Sequence, residues 1–188
     1  MAMRDELLAD LIDRTKQVIR ELDQFSSLSG EELNHRVSER SWSILECIEH
    51  LALYGDFYIP EIRNRIAEAQ PSDNNDFKSG WLGNYFALSM LPGENGKLNK
   101  MKTFKEMNPI NKPLNASVLE RFRKQQLEML ELLMAAGGVD LGRTKTSISI
   151  SKWIKLKLGD TFRVVVYHNQ RHMAHALRVQ KELLVVAN

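Results

Sequence analysis

Four stretches of this 188-residue chain repeat apolar side chains at the i, i+3, i+4, i+7 spacing of an amphipathic helix. The first covers about residues 4–25. There Leu7, Leu8, Leu11, Ile12, Thr15, Val18, Ile19, Leu22 and Phe25 share a face, and charges hold the other. The second opens at Ser43, whose spacing to Glu46 fits a capping box, and runs through Ile44, Ile48, Leu51, Leu53 and Phe57 toward Ala69. Pro60 inside it predicts a kink or an early end, because it removes one backbone donor and crowds the preceding turn. The third covers 117–136, with Ser117 and Glu120 as a second capping box and Leu119, Phe122, Leu127, Leu130 and Leu133 as the stripe. Gly137 and Gly138 supply its stop. The fourth covers 161–186, with Asp160 as N-cap and Val165, Val166, Met173, Ala176, Leu177, Val179 and Leu183 facing the core.

Two long links join these stretches. Residues 70–115 hold four of the five prolines. Within them, Trp81 to Leu91 reads as a short buried helix. Core packing is the expectation for Trp81, Tyr85 and Phe86, with a dimer surface as the alternative. In the second link, 138–160, Ser147-Ile148-Ser149-Ile150 alternates like a strand, and Lys152 to Leu158 reads as a further helical turn. Long links inside a domain usually serve as crossovers or carry function. The pattern predicts an all-α, four-helix bundle in which the second and third helices run parallel, as one domain over residues 1–188.

Composition narrows the function classes. The apolar fraction of 43% and charged fraction of 27% are those of an ordinary globular chain. A single cysteine excludes an intramolecular disulfide and any multi-cysteine zinc module. With 26 basic and 24 acidic residues the net charge is +2, too small for a strong field toward nucleic acid or anionic lipid. The longest charge-free stretch, Ser79 to Gly93, contains Gly, Asn and Pro and is shorter than the ~20 apolar residues of a membrane span. The charged N-terminus lacks the apolar run of a signal peptide. A cytoplasmic protein is expected, without membrane or nucleic-acid partners. The lysines at 97, 100, 102, 105 and 112 have Phe104 as the sole aromatic among them and read as solvated.

The candidate chemistry lies in the histidines. At about 100° per residue, His172 falls about 40° from His168 on the fourth helix, and His175 returns to within about 20°. The i, i+4 pair can reach one metal ion, and reads equally as a solvated pair along a helix. His50 sits mid-helix among Ile48, Leu51 and Leu53, where a core histidine is the plainer reading. If the second and fourth helices face each other, His50 instead completes a three-histidine site with His168 and His172. His35, in a polar loop, reads as solvated, and Cys47 as a small buried hydrophobe. Arg171 reads as a surface or interhelical ion-pair partner.

Two runs resemble a known family. Ser41-Trp42-Ser43-Ile44-Leu45-Glu46-Cys47-Ile48-Glu49-His50-Leu51 is similar to the W-S-x-x-E-x-x-x-H-L signature of the DinB-like superfamily. His168-Asn169-Gln170-Arg171-His172-Met173 is similar to its C-terminal H-x-x-R-H-L signature. The resemblance implies an up-down-down-up bundle and a divalent metal on His50, His168 and His172. Close relatives often carry Gln where this chain has His175. That residue is therefore expected beside the ligands, along the pocket, or as an alternative ligand.

Three neutral ligands leave the ion's full charge and an open position, the pattern of catalytic rather than structural sites. Such an ion ionises a thiol for group transfer or a water for hydrolysis. The resemblance implies both chemistries: a metal-dependent enzyme, transferase-like with a low-molecular-weight thiol, or hydrolase-like, acting on a small molecule. Zinc or nickel is expected before iron or manganese. Glu46 and Tyr54, one turn either side of His50, are candidates for orienting an imidazole, accepting a proton or lining the pocket; capping alone and simple packing are their plainer roles. The alternative from another class is a non-catalytic metal-binding stress-response or interaction module on the same bundle. A homodimer is a further expectation.

Overall fold

Amphipathic stripes need partners in water, since isolated helices of this length are marginal and gain most of their stability from tertiary packing. A computed structural model describes residues 2–91 and 103–186. In chain order its helices are α1 (Arg4–Asp23), α2 (Gly30–Asn34), α3 (Ile44–Glu68), α4 (Trp81–Met90), α5 (Ser117–Ala135) and α6 (Leu158–Val186). The four long ones, α1, α3, α5 and α6, are the four stripes. Helix α3 packs on α5 and α6, and α1 packs on the same two, which closes a ring.

Two apolar clusters fill it. One joins Val18 and Leu22 of α1, Ile44 and Ile48 of α3, Val118 and Phe122 of α5, and Met173 and Ala176 of α6. The other joins Leu8 and Leu11, Tyr58 and Ile62, Met129 and Leu133, and Phe162 and Val166. The end of α1 thus meets the starts of α3 and α5 and the later part of α6. Helix α3 begins as its capping box requires, with Ser43 Oγ accepting from Glu46 N and the Glu46 carboxylate accepting from Ser43 N. It runs through Pro60 without ending there.

Short strands bind the links to the bundle. Strand β1 (Ala2–Met3) pairs antiparallel with β2 (Asp76–Phe77), and β3 (Lys145–Ile148) with β4 (Ser151–Lys157). The β3–β4 hairpin is pinned at several points. Ser147 N donates to Glu61 Oε1 at 2.7 Å, Ser149 N to the Tyr58 hydroxyl at 3.4 Å, and the Thr146 and Thr161 hydroxyls meet at 2.6 Å.

Several expectations are corrected. Residues 152–157 are strand rather than helical turn, because cross-strand pairing with β3 directs Leu156 inward while Lys155 and Lys157 oppose Ser147 and Lys145. Helix α6 starts at Leu158, so Asp160 lies inside its first turn and does not cap it. Asp160 is fully buried and instead serves α4, accepting from Gly80 N at 2.7 Å and from Ser79 Oγ. Helix α5 is capped by Ala116, with Ser117 N donating to the Asn115 side chain, so the second capping box does not form. Leu127 of that helix faces solvent, and Gln125 and Gln126 take buried positions. Helix α4 forms as expected but is not buried: Trp81 is 85% and Tyr85 63% exposed. Its buried positions are the small Gly83 and Ala87, through which it packs closely on α6, leaving Trp81 and Tyr85 on the outer face.

Gly83 lets α4 approach α6, since a Cβ there would stand 2.5 Å from the Asp160 carboxylate. Gly83→Ala is expected to cost about 2 kcal/mol and to lower the thermal midpoint by roughly 5 °C. An unchanged melting curve would show that the contact yields without strain.

Candidate metal centre

Residue spacing puts His168 and His172 on one face of α6, and the packing of α3 on α6 brings His50 opposite them. The three form a group whose ligand nitrogens all lie within 4.8 Å of one another. His50 Nε2 and His168 Nε2 stand 3.2 Å apart. Two nitrogens sharing one tetrahedral ion at about 2.0–2.1 Å are separated by about 3.3 Å, so this pair already has the spacing an ion needs. Among the described residues, the buried His172 Nδ1 finds no hydrogen-bond partner. A nitrogen-rich set of this kind, with an unpaired buried nitrogen, fits a borderline divalent cation.

The tautomer of His50 follows from its neighbour. Its Nδ1 lies 2.6 Å from the Met107 carbonyl oxygen, which can only accept, so Nδ1 carries the proton and Nε2 presents a lone pair to His168. Trp42 packs on both His50 and His172, with ring centroids at 4.7 and 5.5 Å. Tyr54 meets His50 and His168 edge-on at 5.0 and 4.8 Å.

Burial keeps the imidazoles neutral. His50 is 3% exposed and its pKa is pushed down to about 4, the Met107 bond only partly opposing this. His168 and His172 are held well below the ordinary histidine value by burial and then by their charged-state repulsion with the other imidazoles and Arg171. Tyr54 is pushed up to about 12, by burial and then by Tyr58, so it keeps its proton at neutral pH.

The histidines form part of the wall of a cavity of about 360 Å³. Tyr54 and Tyr58 of α3, Phe86 and Met90 of α4, Thr103 and Phe104 of the link, the β3–β4 hairpin, and Val164, Val165 and Arg171 of α6 complete it. Arg171 Nη1 reaches the Ser89 carbonyl at 3.5 Å, which ties it to α4. His175 is half-buried, one turn beyond, and belongs neither to the three-histidine group nor to the cavity wall among the described residues.

Glu46 stands elsewhere. It is 2% exposed, and its carboxylate accepts from Ser43 N, from Asn111 N at 2.8 Å and from the Arg36 guanidinium. Burial opposes its ionisation, but these donors outweigh that and hold its pKa below the ordinary carboxylate value. Cys47 is buried with its thiol pKa raised, and His35 is exposed at the end of α2. Lys97, Lys100 and Lys102 lie outside the described residues; Lys105 and Lys112 are exposed. Sequence reasoning assigned no role to Trp42, although it lies inside the motif, and had no signal for the Met107 carbonyl, since any residue type offers one.

The fold and site together define a helical-bundle protein with a buried three-histidine cluster open to a cavity. The chain belongs to the DinB superfamily, whose family model matches residues 11–176. No curated protein matches it. Among solved structures it resembles YfiT from Bacillus subtilis, described as a probable metal-dependent hydrolase with an unusual four-helix bundle topology. That likeness has a TM-score of 0.57 at 15% identity and covers 94% of this chain and 87% of the other, which speaks to the fold. Among the described residues no helix is long and apolar enough to cross a membrane.

Two outcomes follow. The metal-free protein is expected to lose stability as pH falls from about 6.5 to about 4, because the unfolded chain takes up protons that the buried imidazoles refuse. His50 alone contributes on the order of 3 kcal/mol over that window. Thermal melts in chelator would read it, and a flat profile would refute the neutral cluster. Glu46→Ala is expected to cost about 3 kcal/mol by leaving Arg36 and two backbone donors without their acceptor, measurable by denaturant titration.

Proposed function

We propose that this chain, as one domain over residues 1–188, is a divalent-metal-dependent enzyme with His50, His168 and His172 as ligands. Its reaction is hydrolysis of a small molecule or transfer to a low-molecular-weight thiol. The supporting observation is the three-histidine group set in a cavity wall rather than sealed in the core. That placement favours catalysis over a module that merely retains metal, for which a closed site suffices. YfiT's description as a probable metal-dependent hydrolase agrees with the reading. We read the four long helices as up-down-down-up, supported by the ends that share each apolar cluster.

An ion on three neutral imidazoles supplies Lewis acidity that lowers the pKa of a water or thiol toward neutrality. The remaining work belongs to the chain. Met107 holds His50 in one tautomer through its carbonyl. Tyr54, protonated in the cavity wall, offers a hydroxyl to a developing negative oxygen. Glu46 anchors structure. Cys47 does not line the cavity among the described residues, so thiol transfer would use a thiol brought by the cosubstrate. Zinc or nickel suits the nitrogen donors better than iron or manganese. Cytoplasmic location and homodimeric assembly complete the reading.

Protein purified without a histidine tag is expected to carry one equivalent of divalent metal. Affinity should fall at least tenfold in each of His50→Ala, His168→Ala and His172→Ala, and should weaken below about pH 6 as protons compete for the imidazoles. Metal analysis by plasma mass spectrometry reads all of this. Wild type and all three variants free of metal after incubation with zinc and nickel would end the proposal.

A further inference from the structure

The cavity beside the histidines has a chemical character of its own. Its lining comes chiefly from apolar side chains on five separate segments: Phe86 and Met90 on α4, Phe104 on the link, Ile150 in the hairpin turn, Leu156 on β4 and Val164 on α6. Among the described residues one cation, Arg171, and no carboxylate reaches it. Phe104 and Ile150 are each about half exposed, at 48% and 50%. Apolar side chains grouped around one cavity mark a ligand-binding site more often than scattered ones do. The cavity volume of about 360 Å³ admits water, and displacing it from apolar walls favours binding.

We propose that the substrate carries an aryl- or alkyl-sized apolar tail, which fills this cavity, and a neutral or anionic electrophilic head, which lies at the three histidines. The assignment rests on the metal-dependent reading for the head and on the cavity alone for the tail. A cationic head is disfavoured, since a divalent ion held by the three histidines would repel it. A tail of several charges is disfavoured because its desolvation would go uncompensated against these walls. The tail therefore sets specificity, and the head sets chemistry.

Two chelators that differ only in tail test this. Zinc-loaded wild-type protein, titrated calorimetrically with acetohydroxamate and 4-phenylbutyrohydroxamate, should bind the aryl compound at least tenfold more tightly, since each buried methylene is worth about fourfold. Phe104→Ala, at a half-exposed link position, and Val164→Phe, which fills the cavity, should each cut that ratio at least threefold. Metal-free protein, followed by NMR, should bind 4-phenylbutyrate and ignore acetate. Equal affinities for the two hydroxamates overturn the proposal, and so does equal binding of the two carboxylates. A protein that takes up no zinc yet keeps the aryl preference would overturn the metal reading and uphold the tail site.

Discussion

Three imidazoles can share the interior of an apolar bundle only while they are uncharged, because a buried cation without a counter-ion is far more costly than a neutral ring. That constraint shapes what surrounds them. His50, His168 and His172 face one another across α3 and α6, and burial holds all three below the ordinary pKa of histidine. Neutral rings can still present nitrogen lone pairs to a metal, whereas protonated rings cannot. The same desolvation that makes the cluster costly in the empty protein therefore prepares it for a cation.

The rest of the site keeps that cluster oriented. His50 is fixed by a backbone carbonyl from the link after α4, so the link must lie across the start of α3. Glu46 secures it there. One carboxylate closes the capping box of α3, pairs with Arg36 and receives Asn111 N. Arg36 also donates to the Asn111 side chain at 2.7 Å, and Asn111 adopts a positive φ of 64°, which asparagine tolerates better than most residues. A residue whose spacing marks it as a helix cap thus acts on the site at one remove, by holding the segment that holds the histidine.

The cavity is built from the connections rather than from the bundle alone. Helix α4 is docked by buried Asp160, and the β3–β4 hairpin by Glu61, Tyr58 and Thr161. These polar pins are specific. They leave apolar side chains of both elements facing the space beside the histidines instead of collapsing onto it. The same economy leaves Trp81 and Trp153 on the surface, at 85% and 95% exposure.

How much of this was legible in the chain depended on whether the deciding interaction was local. Helix periodicity, the Ser43–Glu46 box and the single-face spacing of His168 and His172 depend on residues within a turn or two, so four long helices and a paired-histidine face could be read from local pattern. The two motifs extended this to the family and to His50. Tertiary structure alone decided that residues 152–157 are strand, since pairing with β3 supplies hydrogen bonds that local propensity cannot anticipate. It alone turned Asp160 from a cap of its own helix into an acceptor for another. It also gave Met107 its role, through a carbonyl that every residue carries and only the fold can aim. Local rules name which side chains share a face; which faces meet, and which backbone groups meet them, follows from closing the whole bundle.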